Sequence, residues 1–167
     1  MPTGYCIVVI PKQDLSKFSF GITSAIVTSL ALMLGLDTMP NARSSIIGSL
    51  LIIAVADNIS DSLGIHVYKE SLTTESSDLW VFTITNFVTR LGVMVFFIIL
   101  VVTLPLNIAA SVSVVFGLTL LSVMSYYIGV QQGINPAKSV AEHLFIAIVV
   151  IVASHFLGQF IRNTFNV

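Results

Sequence analysis

Five apolar stretches follow one another along this chain, at 18–36, 45–67, 80–104, 107–129 and 139–162. Each is close to the roughly 20 residues that a helix needs to cross the hydrocarbon core of a bilayer. Of the 167 residues 56% are hydrophobic and 9% charged, against about a quarter charged in an ordinary soluble domain. The expectation is therefore an all-α polytopic membrane protein with five transmembrane helices. A short cytoplasmic N-terminal segment occupies 1–17 and the five-helix transmembrane domain 18–165.

The connections leave no room for a soluble domain. Gly35 with "LDTMPNAR" separates the first span from the second, "TLPLN" the third from the fourth, and "GVQQGINPAKS" the fourth from the fifth, with Gly, Pro and Asn as the breakers. The most polar connection, "KESLTTESSDLW", follows the second span and ends on Trp80, an interfacial aromatic at a helix start. Lys12, Lys17, Lys69 and Lys138 fall on the N-terminal side of the membrane, against Arg43 and Arg162 on the other, which predicts a cytoplasmic N-terminus. The first 17 residues carry no charged n-region ahead of the apolar stretch and no A-x-A-like site, so no cleaved signal peptide is expected.

Several function classes fall away. The net charge of −1 without a basic stripe lacks the electrostatic footprint of a nucleic-acid binder. Cys6 is the only cysteine, which removes disulfide frameworks and thiolate metal clusters. The chain has no G-x-S-x-G elbow, zinc-protease signature, P-loop or dinucleotide fingerprint, so an enzyme is not expected, and neither is a resident cofactor.

The residues that carry chemistry lie inside the second span, in "AVADNISDSLGIHVYKES". A carboxylate at membrane depth is expensive and marks a functional hypothesis. Asp57 and Asp61 are four residues apart, so they share one helix face about 6 Å apart along the axis. That spacing lets both contact one cation, and hard oxygen ligands suit hard or borderline divalent metals. Asn58 and Ser24 offer neutral oxygens, and Glu70 and Glu75, with Asp78, concentrate cations at the cytoplasmic mouth unless they form only a solvated turn and helix cap. Arg90, about ten residues into the antiparallel third span, falls at nearly the same depth. A buried Arg90–carboxylate pair is the structural alternative to a cation site. His66 steps on toward the cytoplasmic end, while Glu142, His143 and His155 of the fifth span are too far apart to share one metal.

Small residues recur every fourth position: Gly21, Ala25 and Ser29, then Ala56, Ser60 and Gly64, then Ala109, Ser113 and Gly117. Such faces let helices approach closely, within one chain or between two.

The order of features resembles the vacuolar iron transporter family, whose first two helices read G-x-D-G-x-x-T-T…G and A-D-x-x-S-M-x-x-G-x-Y-x-S. The matching positions are Gly21, Ile26, Val27, Thr28, Ser29 and Gly35, then Ala56, Asp57, Ser60 and Gly64, with Pro105, Leu106 and Gly158 later. The resemblance implies a homodimer whose first two helices line a route for ferrous or related divalent cations exchanged for protons, in the cell membrane or a vacuolar or other endomembrane. The family's first-helix aspartate falls at Ser24, its second-helix glutamate at Ile53 and its methionine at Asp61, and its acidic insert is reduced to the loop with Glu70 and Glu75. Two expectations result: a divalent-cation transporter, iron- or manganese-like and proton-coupled, or a non-transporting membrane subunit or scaffold with a buried Asp–Arg lock.

Overall fold

The structure, a computed structural model, describes residues 12–71 and 76–165. They form five helices: α1 (Lys12–Leu36), α2 (Ala42–Glu70), α3 (Ser76–Thr103), α4 (Leu106–Gln132) and α5 (Pro136–Phe165). All five are long and apolar enough to cross a membrane. The helices overrun the apolar stretches by a few residues at most ends, because polar residues at the membrane surface continue a helix whose backbone is already bonded. The largest extension is at the start, where α1 begins at Lys12, inside the segment expected to precede the first span.

The breaks have local causes. Pro105 has no N–H to continue α3, and its carbonyl accepts the Ala109 amide of α4 at 2.8 Å. Gly133 ends α4 with a φ of 70°, and the Ile134 amide returns to Gly129 O at 3.1 Å, a left-handed closure that glycine adopts without strain. Asn135 Oδ1 then accepts the Ala137 amide at 3.0 Å and Pro136 opens α5, where a missing N–H is harmless. Asn41, with a φ of 54°, makes the turn into α2, a conformation asparagine tolerates better than most residues.

α1 is the central element and packs against each of the other four, whereas α2 lies at one side against α3 and, more lightly, α1. The core combines Ile26, Leu30 and Met33 of α1 with Ile46 and Leu50 of α2, Phe97 and Val101 of α3, and Leu121 of α4. Two of the three small-residue faces are consumed inside this bundle. Ala25 and Ser29 are fully buried, and a Cβ on Gly21 would lie 2.9 Å from the Asn86 carbonyl. On α4, Ala109 and Ser113 are buried and a Cβ on Gly117 would meet Leu30 Cδ1 at 2.9 Å. The third face, Ala56, Ser60 and Gly64 of α2, is exposed along its length, with nothing within 4 Å of a Cβ built on Gly64.

The tightest crossing joins α1 and α5, where Gly158 packs directly on the Gly35 backbone. Side chains cannot move aside there, because the obstructing atoms are main chain. Gly158→Ala is expected to destabilise the fold by about 2 kcal/mol, in the range of overpacked cores. Gly92→Ala, which meets nothing within 4 Å, should leave stability unchanged or slightly raised. Thermal unfolding of the two variants in detergent checks the contrast.

Candidate functional site

α2 and α3 run antiparallel and are joined by polar contacts in one register. Arg43 Nη2 donates to Leu104 O at 2.7 Å, Asn58 Nδ2 to Phe87 O at 3.0 Å, and Asn86 Nδ2 to Ser62 Oγ at 3.2 Å. His66 Nδ1 and Thr83 Oγ1 meet at 2.9 Å. The Thr83 hydroxyl already donates to Leu79 O at 2.8 Å, so His66 must donate from Nδ1, which fixes its neutral tautomer. His66 also lies against Trp80, with ring centroids 4.7 Å apart.

Arg90 sits in the middle of this ladder, halfway along α3, and only 1% of its side chain is exposed. Its guanidinium is divided between two acids: Nη2 pairs with Asp57 Oδ2 and Nη1 with Asp61 Oδ2. The two acids are less enclosed than their partner, with side chains 46% and 34% exposed. They lie on the edge of α2 that faces α1, and Ser24 Oγ donates to Asp61 Oδ2 at 3.4 Å. One cation is therefore shared by two anions, and the surplus negative charge faces outward at mid-span.

The expected site residues separate into three groups. Asp57, Asp61, Arg90 and Ser24 come together. Asn58 points elsewhere: it is fully buried in the α2–α3 seam, with its amide on Phe87 and its Oδ1 without a hydrogen-bond partner. A residue next to Asp57 in sequence is turned about 100° around the helix, which is why adjacency does not make it a co-ligand. Glu70 is exposed at the end of α2, about 14 Å along the axis from Asp61, and Glu75 lies outside the described residues, as does the Asp78 side chain. Among the described residues no three His, Cys, Asp or Glu side chains gather within reach of one metal ion. Any cation at Asp57 and Asp61 would need oxygen ligands beyond that set, and Ser24 Oγ is the one beside them.

The histidines of α5 make helix-to-helix contacts. His143 Nδ1 is 2.8 Å from Ser125 Oγ of α4. His155 Nδ1 is 3.2 Å from Leu34 O and 3.6 Å from Asp37 Oδ1, at the C-terminal end of α1. Ser62 and Asn86, which extend the polar seam, carry no signal in the sequence reading beyond spacing: Asn86 stands four residues before Arg90 and shares its face. Comparison with models of protein families, with curated proteins and with solved structures finds no match for this chain.

Sharing predicts an asymmetry between the partners. Arg90→Met leaves two carboxylates uncompensated and is expected to cost about 3–5 kcal/mol, the range for breaking a buried ion pair from one side. Asp61→Asn leaves Arg90 paired with Asp57 and should cost less than half as much. Chemical or thermal unfolding of the two variants, side by side, reads the difference directly.

Proposed function

We propose that this chain is an integral membrane transporter of divalent metal cations, iron- or manganese-like and proton-coupled, working as a homodimer. The observation that carries the reading is the surplus carboxylate. A structural lock needs one acid for one arginine, and here two acids share Arg90 while both remain partly exposed at mid-span. An ionised carboxylate directed into hydrocarbon is unfavourable by several kcal/mol. A cation, a proton or a covering surface removes that penalty. Two copies related by a two-fold axis would bring together two surplus negative charges, the complement of one divalent ion.

The exposed Ala56, Ser60 and Gly64 face borders the acids on the same helix and offers the covering surface. The corresponding α1 face does not, because its small residues are occupied within the bundle. At the positions where the resemblance expects that family's acids and methionine, Ser24 contacts Asp61 and Ile53 lies one turn from Asp57 along α2. With oxygen in place of sulfur at Asp61, the site favours harder ions than iron, such as manganese, magnesium or calcium. The rival reading, a non-transporting subunit or scaffold, is favoured by the near-complete burial of Arg90 and its engagement by both acids.

Metal-dependent uptake into proteoliposomes, compared across iron, manganese, zinc and calcium with an entrapped pH indicator, separates the two. Transport predicts uptake with proton movement in the opposite direction, a loss of at least tenfold in Asp57→Asn, and a shift toward iron in Asp61→Met. A wild-type protein inert to all four ions supports the scaffold. For the dimer, Ser60→Leu should weaken association in light scattering without lowering monomer stability, whereas Ala25→Leu should destabilise the monomer itself. A protein that is monomeric at every concentration removes the dimer.

A further inference from the structure

At the end of the bundle opposite Glu70, α1 stops at Leu36 and its closing turn packs on α5, where Gly158 fits against Gly35. The last four carbonyls of a helix have no partner within it, and the negative end of the helix dipole gathers there. One of them, Leu34 O, is 3.2 Å from His155 Nδ1. The Asp37 carboxylate adds a second oxygen: its Oδ1 is 3.6 Å from the same nitrogen and is buried without a hydrogen-bond partner. Buried polar groups are normally paired, and a charged one left unpaired is the more costly.

Three electron-pair donors therefore converge, an imidazole nitrogen, a carboxylate oxygen and a main-chain carbonyl oxygen, with one ring proton to share among them. A divalent ion satisfies all three at once. Ligands on a tetrahedral zinc ion, with bonds of about 2.1 Å, stand about 3.4 Å apart, and the separations from Nδ1, 3.2 and 3.6 Å, lie on either side of that value. The far side of the ring is supported as well. Gln159, one turn further along α5, places its Nε2 2.9 Å from His155 Nε2. In the metal-free ring Nδ1–H donates to Leu34 O and Nε2 accepts from Gln159. With the ring proton moved to Nε2 and the exposed Gln159 amide turned to accept it, Nδ1 is free to ligate, and the ring keeps the outer partner that ligating histidines ordinarily have. The His155 and Asp37 side chains are 39% and 29% exposed, so an ion has access.

We propose that Asp37, His155 and the Leu34 carbonyl form a site for a borderline divalent cation such as zinc, with water as the fourth ligand and Gln159 orienting the ring. Imidazole suits such ions, whereas the oxygens of Asp57 and Asp61 suit harder ones. Asp57 lies about 22 Å along α2 from Ala42 at this end. The two sites are separate, and the inference stands apart from transport through the acids.

The test is a zinc titration of the untagged full chain in detergent, followed by 1H–15N NMR of labelled imidazole rings. The chain has three histidines, each assigned by its own His→Gln variant. Zinc should move His155 Nδ1 to a metal-bound shift and leave the ring proton on Nε2, with His66 and His143 unchanged. Magnesium at the same concentration should produce no shift. Asp37→Asn, which keeps the shape and removes the charge, should weaken the zinc affinity read at His155 by tenfold or more, and Gln159→Leu by about tenfold. His143→Gln and Asp57→Asn should leave it as in wild type. Thermal unfolding without metal verifies that the Asp37→Asn chain is folded. A His155 ring that keeps its proton on Nδ1 at saturating zinc would overturn the proposal, as would Asp37→Asn binding like wild type. So would a zinc response at His155 that disappears in Asp57→Asn, because it assigns the ion to the acids.

Discussion

The pairing of Arg90 with Asp57 and Asp61 is the constraint around which the rest of the bundle is arranged. At the centre of a bilayer an isolated charge is unfavourable by about 3 kcal/mol on insertion scales and by more in simulations. Three charges at similar depth cannot be dispersed to the surface, since Arg90 and Asp57 are half a helix from either end and Asp61 is about 14 Å from the nearer one. They must meet, and their meeting fixes the register of α2 against α3. A slip of one residue would separate the guanidinium from one acid and also break the Asn58–Phe87, Ser62–Asn86 and His66–Thr83 contacts. Each such hydrogen bond contributes only about 0.6 kcal/mol on average between membrane helices. The charges supply the selectivity and the neutral contacts repeat it.

The polar contacts are distributed unevenly along α2 and α3. From Arg90 toward the C-terminal end of α2 the seam is amide, hydroxyl and imidazole; from Arg90 toward the N-terminal end it is Leu50, Ala54, Met94, Phe97 and Val101, all buried. One half of the interface is therefore a buried polar seam, and the other is apolar as far as the Arg43–Leu104 contact at its end. The acids themselves stand at the boundary between the halves.

Much of the fold was legible because bilayer thickness and backbone hydrogen bonding leave few solutions for apolar runs of this length. The five spans, their breakers and the common depth of Arg90 and the two acids follow from counting residues. The seam was less legible. Asn86 and Ser62 sit in apolar stretches where isolated polar residues are ordinary, and only a known helix pairing shows that they face each other. Sequence adjacency misled for Asn58, since one residue's step turns a side chain away from its neighbour's target. The sharing of Arg90 by both acids was also beyond counting: spacing puts the carboxylates on one face of α2 and depth brings an arginine level with them, and only the packing of α2 against α3 decides that one guanidinium reaches both.

The three small-residue faces illustrate the same limit and point to a division of labour. In each, the spacing is identical, and nothing in the sequence separates a face that packs within the chain from one that awaits another surface. The separation arises from α1, which takes the central position and consumes its own face against Asn86 and the α4 face against Ile26 and Leu30. α2 is pushed to the side, where α3 is its main neighbour. Its remaining surface is then divided into a strip of small residues, an edge with two acids, and, past Ile53, the start of an apolar groove. The three strips differ in chemistry: the first is small and exposed, the second anionic, the third apolar. The arrangement follows once a helix carrying carboxylates inside its span is held at the edge of its own bundle by one buried arginine.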